Sequence, residues 1–337
     1  MLFGSCLFLC ILGLPEGTSV GLYHPLFPAY FAEGDAGSFY VLDRREHQVR
    51  HYAKDLKLLR AFGAMGQGPG EFAFPIGIFY AGGTLYVEDP TFFTLFDAEG
   101  KPRKKIRKPF EADWYPTGKS WIAERRYEAT GKWELLWFSY DFEETKVLHV
   151  DRDTFDVDGV MNPAGRPVPS ALSKDHRWLA KAEKSRFHVT VFDTHRGEAV
   201  RVLEEKVTPV PFDRAWGEES VKNIRAMRKT MSPHRQSKNK GAVFPDFFPP
   251  ILKVAYTVDD ELVVFGLLRP GQIKPDFVYD LAGRSVPIKG DPDPFIYKVL
   301  MKHEGYAYLT LEVDEEAFIY KVPLAQVPAI LEDLDKP

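Results

Sequence analysis

Four carboxylates carry most of the chemistry this sequence offers. Asp43, Asp89 and Glu124 each end a short, mostly apolar run, and Glu312 lies in a later one. Brought together from separate strands, they would hold a divalent cation, calcium first, because hard cations take about six to eight oxygens. Such a centre would serve hydrolysis or elimination. The amides that often complete it are scarce: the only asparagines are Asn162, Asn223 and Asn239. The structural reading of the same residues is a carboxylate that ends a strand and accepts turn N–H bonds. Zinc is disfavoured, since none of the nine histidines forms HExxH or has a cysteine at metal spacing. No GxSxG elbow occurs, which removes an α/β-hydrolase serine. Calcium apart, no cofactor is expected.

A second set is basic. Between Leu203 and Pro250 lie Lys222, Arg225, Arg228, Lys229, His234, Arg235, Lys238 and Lys240, in a chain whose net charge is −4. Val221, Ile224 and Met227 recur at helical spacing, which predicts a helix over Glu218–Lys229. Its plain reading is a solvated helix and loop. Its functional reading is a partner surface for a protein or glycan built from Trp216, Arg225, Arg228, Arg235, Lys238 and Lys240. The mild overall acidity gives no reason to expect nucleic acid.

A third set is the glycine run Gly66-Gln67-Gly68-Pro69-Gly70-Glu71-Phe72. Glycine loops cradle phosphate when a helix follows directly. Here Phe74-Pro75-Ile76 leads to a strand instead, and no Lys-Ser/Thr pair follows. The loop therefore reads as a crossover, with Glu71 accepting backbone N–H bonds and Phe72 and Phe74 packing between neighbouring layers.

The elements that position these groups recur. An aromatic residue followed by a polar turn appears at Tyr52, Phe96, Tyr140, Phe192, Tyr279 and Tyr320, at gaps of 44, 44, 52, 87 and 41 residues. A strand-like run precedes each: Phe39–Asp43, Leu85–Asp89, Ser120–Glu124, Arg177–Lys181, Glu261–Phe265 and Tyr306–Thr310. Four antiparallel strands in each such unit make a β-propeller blade, and six units predict an all-β, six-bladed β-propeller. The gap of 87 marks either a lost copy or an insertion. Residues 205–250 are taken as a partly helical insertion before the fifth blade. A strand near 23–31 is expected to close the last blade, and Ile330–Pro337 to fray.

The 337 residues, 26 of them glycine and 26 proline, suit one large turn-rich domain. The N-terminal run Leu2–Leu14 is apolar and uncharged, too short for a bilayer span and of the length of a signal-peptide core. Residues 1–19 are therefore read as signal-like, 20–326 as the propeller and 327–337 as a tail. The only cysteines, Cys6 and Cys10, lie in that run, and either would be the lipid-anchoring position if there is one. A periplasmic, cell-surface or secreted monomer is expected, with membrane proximity through this segment.

The segment Leu58–Pro75, written GxxGxGPGEFxxP after its strand, with Leu85–Asp89 and Phe93–Lys101 following, resembles the NHL-repeat-related six-bladed β-propellers of exported bacterial proteins. Val243–Ile251 (VFPDFFPPI) resembles the fPxxxPPI stretch that leads into a late blade of that family. The resemblance implies Asp at the end of each central strand. This chain keeps Asp43 and Asp89 but has Glu124, Lys181 and Phe265-Gly266 at the later positions, so a ring of carboxylates would be broken. The resemblance thus favours a non-catalytic binding or scaffold propeller. The alternative is a divalent-cation-dependent propeller hydrolase or lyase with an axial site.

Overall fold

Phe39-Tyr40-Val41-Leu42 is apolar without alternation because both of its faces are buried. Phe39 and Val41 pack with Tyr52, Met301, Tyr308 and Ile319, whereas Tyr40 and Leu42 turn the other way, to Val49, Phe72, Leu85, Val87 and Phe96. A strand covered on both sides loses the hydrophobic–polar alternation of a half-exposed one. The computed structural model describes residues 19–22, 30–127, 130–157, 160–165, 168, 170–231, 241–269, 272–288, 299–313 and 316–334.

The strands form six four-stranded antiparallel sheets, a six-bladed β-propeller. Strand β1 (Ser19–Leu22) comes first in the chain but belongs to the last blade. Blade 1 is β2 (Phe31–Glu33), β3 (Phe39–Asp43), β4 (Gln48–Tyr52) and β5 (Leu58–Phe62). Blade 2 is β6 (Gly77–Ala81), β7 (Thr84–Glu88), β8 (Phe92–Phe96) and β9 (Pro102–Arg107). Blade 3 is β10 (Asp113–Pro116), β11 (Ser120–Tyr127), β12 (Lys132–Ser139) and β13 (Thr145–Arg152). A small hairpin, β14 (Asp156–Val157) and β15 (Val160–Met161), separates it from blade 4: β16 (Ala171–Leu172), β17 (Trp178–Ala182), β18 (His188–Asp193) and β19 (Glu198–Glu204). Helix α1 (Arg214–Met231) and β20 (Gly241–Ala242) lie before blade 5, which is β21 (Lys253–Tyr256), β22 (Leu262–Arg269), β23 (Gln272–Tyr279) and β24 (Ser285–Val286). Blade 6 is β25 (Val299–His303), β26 (Tyr306–Val313), β27 (Glu316–Pro323) and β1.

Two compact units divide the blades. One holds blades 1, 2 and 6, the other blades 3, 4 and 5 with the insertion. In the first, the clusters described above stack blade 6 on blade 1 and blade 1 on blade 2. In the second, Ile122, Leu135 and Trp137 of blade 3 meet Leu179 and Phe192 of blade 4. The opposite face of blade 4, with Ala180, Val189 and Val191, meets Val254, Leu262 and Val264 of blade 5.

Each sequence-predicted central run overlaps the second strand of a blade, and each recurring aromatic lies in the third strand or, for Tyr140, one residue after it. In four of the six units the residue after the aromatic is an aspartate that holds the turn. Asp97 and Asp280 accept the backbone N–H four residues on, at 2.8 and 2.9 Å. Asp141 and Asp193 accept the one two residues on, at 3.2 and 3.0 Å. Each carboxylate thus fixes a tight turn through a local side-chain bond.

Three expectations are corrected. The closing strand is Ser19–Leu22, whose register on β27 runs from Ser19 opposite Tyr320 to Leu22 opposite Ala317. Of the expected closing segment, residues 23–29 lie outside the described residues, and Phe31 already belongs to blade 1. The long gap contains an insertion and no lost blade. Its helix is longer than expected because Asp213 accepts the N–H of Trp216 at 3.0 Å, an N-cap that starts the helix four residues early. The expected fraying end is helix α2 (Val327–Leu334), and Val327, Ile330 and Leu331 bury its one apolar face.

Candidate functional site

The carboxylates named first serve the backbone. Asp43, at the end of β3, accepts the N–H groups of Arg45 and Glu46 at 3.1 and 3.0 Å and pairs with Arg50 at 2.9 Å. Asp89 is buried and accepts the Phe74 N–H at 2.9 Å. Glu124 is buried and accepts the Ser170 N–H at 3.2 Å. The Glu312 side chain lies outside the described residues. Among the described residues, no three His, Cys, Asp or Glu side chains stand together at metal-binding spacing.

The glycine run is the crossover from β5 to β6. Glu71 Oε2 accepts the Gly68 N–H at 2.8 Å, and Phe72 exchanges backbone bonds with Ala64 and Gly66. Gly70 has φ +79, which disfavours any side chain, and Pro69 precedes it. Phe72 is 0% exposed and meets Phe96 edge-on. Phe74 departs from the expected packing: it is 56% exposed and lies under the Arg44 guanidinium, 5.2 Å from its ring centre. The peptide turns Phe74 outward because its N–H is held by Asp89.

Of the insertion's candidate partner residues, Trp216 and Arg225 make contacts inside it. Trp216 packs on Phe212 and Phe248. Arg225 donates to the carbonyl of Gly241 at 2.7 Å and ties α1 to β20. The Arg228 side chain and the whole of Arg235, Lys238 and Lys240 lie outside the described residues. β20 pairs in parallel with β15, and Val221 of α1 packs with Phe155 and Met161. The insertion and the hairpin after blade 3 therefore form one small layer.

That layer walls a cavity of about 590 Å³. One wall is β13, through His149, Val150 and Asp151. A second is the turn after β17, through Glu183, Lys184 and Ser185. The remaining walls come from Thr154 and Asn162 beside the hairpin and from Pro245–Pro250 of the insertion. The volume lies within the range of about 300–1,000 Å³ common for small-molecule sites.

Strand register explains its polarity. Glu124, Leu135 and His149 stand opposite one another across β11, β12 and β13, and Arg126, Trp133 and Asp151 do so one step along. They share the blade-3 face that carries Ile122 and Trp137 toward blade 4. On blade 4, Leu179 and Lys181 share a face because they are two residues apart. The contact between these blades thus passes from an apolar cluster into a row of ionisable groups.

Lys181 is 1% exposed and donates to the carbonyl of Val168 at 2.5 Å. Burial pulls its pKa below the usual lysine range, against the pull of Glu124 and Asp151. Lys184 donates to Gly165 at 2.5 Å and is lowered by burial too, with Asp151 and Asp153 opposing. Burial, and then the Lys181 charge, lower His149 and favour its neutral form. Glu183 is held low by its hydrogen bond from Arg186, at 2.8 Å, and also faces His188. Asp151 Oδ2 is buried and accepts no hydrogen bond among the described residues. The exposed Phe247 ring also lines the cavity.

Sequence reasoning missed this site. Lys181 and Glu124 stood out there only as breaks in a carboxylate pattern, and the lead-in to blade 5 only as a family feature. The lengthened gap of 52 residues was the one direct signal, since it contains the hairpin beside the cavity.

No protein-family model and no curated protein matches the chain. The six-bladed arrangement therefore stands on the sheets themselves, and the NHL-repeat affiliation has no matching family model. Solved structures are similar at low identity. A DUF4221-family member from Bacteroides vulgatus is 8% identical, with 91% of this chain and 99% of that chain covered, at a TM-score of 0.47. A Bacteroides fragilis protein inferred to be exported is 10% identical, with 91% and 96% covered, at a TM-score of 0.46. Virginiamycin B lyase from Staphylococcus aureus is 12% identical, with 91% and 88% covered, at a TM-score of 0.40.

Proposed function

We propose that the protein is a non-catalytic binding β-propeller of the bacterial envelope that seats its ligand in the cavity of the second unit. The observation that carries this reading is the cavity itself, about 590 Å³, lined by the charged side chains of Asp151, Glu183 and Lys184 and by the exposed ring of Phe247. The insertion gives that cavity its walls, so its place before the fifth blade gains a purpose. Placement in the envelope is supported by the apolar Leu2–Leu14 run and by the lack of any cysteine after Cys10. No described helix is long and apolar enough to cross a membrane.

The reading is tested by thermal unfolding of the wild type and of Asp151→Ala and Phe247→Ala with panels of saccharides and peptides. A true ligand raises the midpoint saturably, by mass action on the folded state. The rise should vanish in both variants. A ligand whose effect survives both variants, or one that is chemically converted, overturns the reading. Cell fractionation checks the compartment, and recovery of the chain in the cytoplasm alone contradicts it.

A further inference from the structure

We infer that the outer edge of blade 2, strand β9, is a docking edge for an extended acidic segment of another protein, which joins the blade as a fifth strand. The inference concerns the first unit and stands independently of the cavity in the second.

β9 reads PRKKIR over Pro102–Arg107, so four of its six residues are cationic and none is acidic. The chain as a whole has a net charge of −4. The other outer strands are not built this way. β5 carries Arg60 alone, β19 sets Arg201 against Glu198 and Glu204, and β13 sets Lys146 and Arg152 against Asp151. β24 and β1 carry no charge. Charge on an edge strand ordinarily keeps it from pairing with other chains. The remaining blade edges do without such a cluster, so general protection does not account for this one.

The edge is open to a partner. Among the described residues β9 pairs with β8 alone, from Arg107 opposite Phe92 to Pro102 opposite Phe96. Its far side therefore presents backbone N–H and C=O groups that no described strand takes up. A proline at the first position suits such an edge. Ile106 is buried, whereas Arg103, Lys104 and Arg107 are exposed. Among the described residues the side chains of Lys104 and Arg107 make no hydrogen bond or ion pair, and Arg103 reaches Asp97 only at 3.6 Å. Lys105 is held in place: its ammonium lies 5.3 Å from the centre of the Phe92 ring and donates to the Gln67 carbonyl at 3.3 Å.

These features together select the partner. An open backbone edge is matched in full by another extended backbone. A lipid headgroup or a sugar acid would engage the cationic side chains and leave the backbone edge unpaired. Charge then excludes a second copy of β9, since like charges opposed across a strand pair repel, and favours a strand bearing Asp or Glu. Successive side chains point to opposite faces of a sheet. Lys105 and Arg107 thus share one face and Lys104 lies on the other, so an acidic strand meets cations on both.

Fluorescence anisotropy provides the test. The first probe is a labelled peptide of about eight residues that alternates glutamate with threonine, long enough for one strand. Its controls are the same peptide N-methylated at alternate amides, a lysine-for-glutamate version, a polyuronate and phosphatidylglycerol vesicles. The proteins are the full chain, the double variant Lys104→Glu/Arg107→Glu, and Lys57→Glu, an exposed charge reversal on blade 1. Circular dichroism and unfolding midpoints check that each is folded. The acidic peptide should bind the wild type saturably and more weakly as salt rises. The double variant should weaken it about tenfold, and Lys57→Glu should leave it within about twofold. The N-methylated peptide, with the same charges, should bind about tenfold more weakly than its parent. Amide hydrogen exchange should show protection gained along Pro102–Arg107 when the acidic peptide is bound. Equal binding of the parent and N-methylated peptides overturns strand addition. Binding of the polyuronate or the vesicles alone, with the same dependence on Lys104 and Arg107, replaces the protein partner by a polyanion or a lipid surface. An acidic peptide that does not bind, or binds all three proteins alike, overturns the docking edge altogether.

Discussion

The Lys181 Nζ donates to the carbonyl oxygen of Val168 across 2.5 Å, with the side chain almost wholly buried. An ammonium in that position is kept there by carboxylates on the facing blade, Glu124 and Asp151. The bond joins β17 to the chain segment that leaves the hairpin, so it fixes the wall of the cavity as well as the blade contact.

Replacing Lys181 by Met is expected to destabilise the protein by about 1–3 kcal/mol, the usual cost of leaving a buried acceptor unmatched. The pH dependence has a definite sign. The folded pKa is pulled below the ordinary 10.5. Between the folded value and 10.5 the unfolded chain holds more protons, so stability rises with pH across that window. Urea unfolding at a series of alkaline pH values should show that rise in wild type and its loss in Lys181→Met. A variant with the wild-type slope would place the titrating group elsewhere.

His51 sets an acid-side counterpart in the first unit. It is 6% exposed, stacks on Tyr40 at 4.1 Å between ring centres, and among the described residues has no hydrogen-bond partner on either ring nitrogen. Burial first, and then the Arg60 charge across the strand pair, lower its pKa from 6.5. A histidine kept neutral when folded contributes its full stability above the unfolded value, and that contribution is lost as pH falls below about 6.5. Phe at this position keeps the stacking and removes the titration. His51→Phe should therefore be at least as stable at pH 7 and should lose less of its midpoint between pH 6.5 and 4.5 than wild type. A steeper acid loss in the variant would refute this account.

The blades could be read from the sequence because they are local. Phe39–Asp43 is strand β3 at both ends, and the turn carboxylates Asp97, Asp141, Asp193 and Asp280 follow the repeated aromatic by one residue. Blade burial on both faces writes itself as a continuous apolar run, which no surface strand imitates. The cavity could not be read in this way. His149 and Asp151 lie on β13, a fourth strand whose pattern is mostly exposed, and they face inward because the register puts them on the blade-3 face that meets blade 4. Phe247 is nearly a hundred residues away in the chain. Lys181 and Glu124 could be seen to break a repeat, but their facing follows from the strand pairing within two blades and the stacking of one on the other.

The two phenylalanines of the crossover should respond very differently. Phe72 is enclosed among residues of blades 1 and 2, whereas Phe74 is more than half exposed. Phe72→Ala is expected to cost about 3–5 kcal/mol, as for a large core ring. Phe74→Ala gives up an exposed cation–π contact with Arg44, worth about 0.5–1 kcal/mol. Equilibrium unfolding in urea separates the two. Equal losses would mean that Phe74 carries packing comparable to Phe72.

The closing strand offers the last test. Ser19–Leu22 pairs with β27 over four residues, and Phe318 and Tyr320 of β27 are buried. A chain beginning at Tyr23 loses that partner and leaves the N–H and C=O groups of β27 unpaired along one edge. Open edges of this kind both destabilise a sheet and recruit other chains. A chain beginning at Ser19 keeps the pairing. Calorimetry should give a lower midpoint for the Tyr23 start than for the Ser19 start, and light scattering should show its association rising with concentration. If a signal-like segment is removed on export, the cut must then fall at or before Ser19 for blade 6 to keep its fourth strand, and intact-mass measurement of exported protein reads that position directly. A mature chain starting after Leu22 with an unchanged midpoint would show that β1 is dispensable to blade 6.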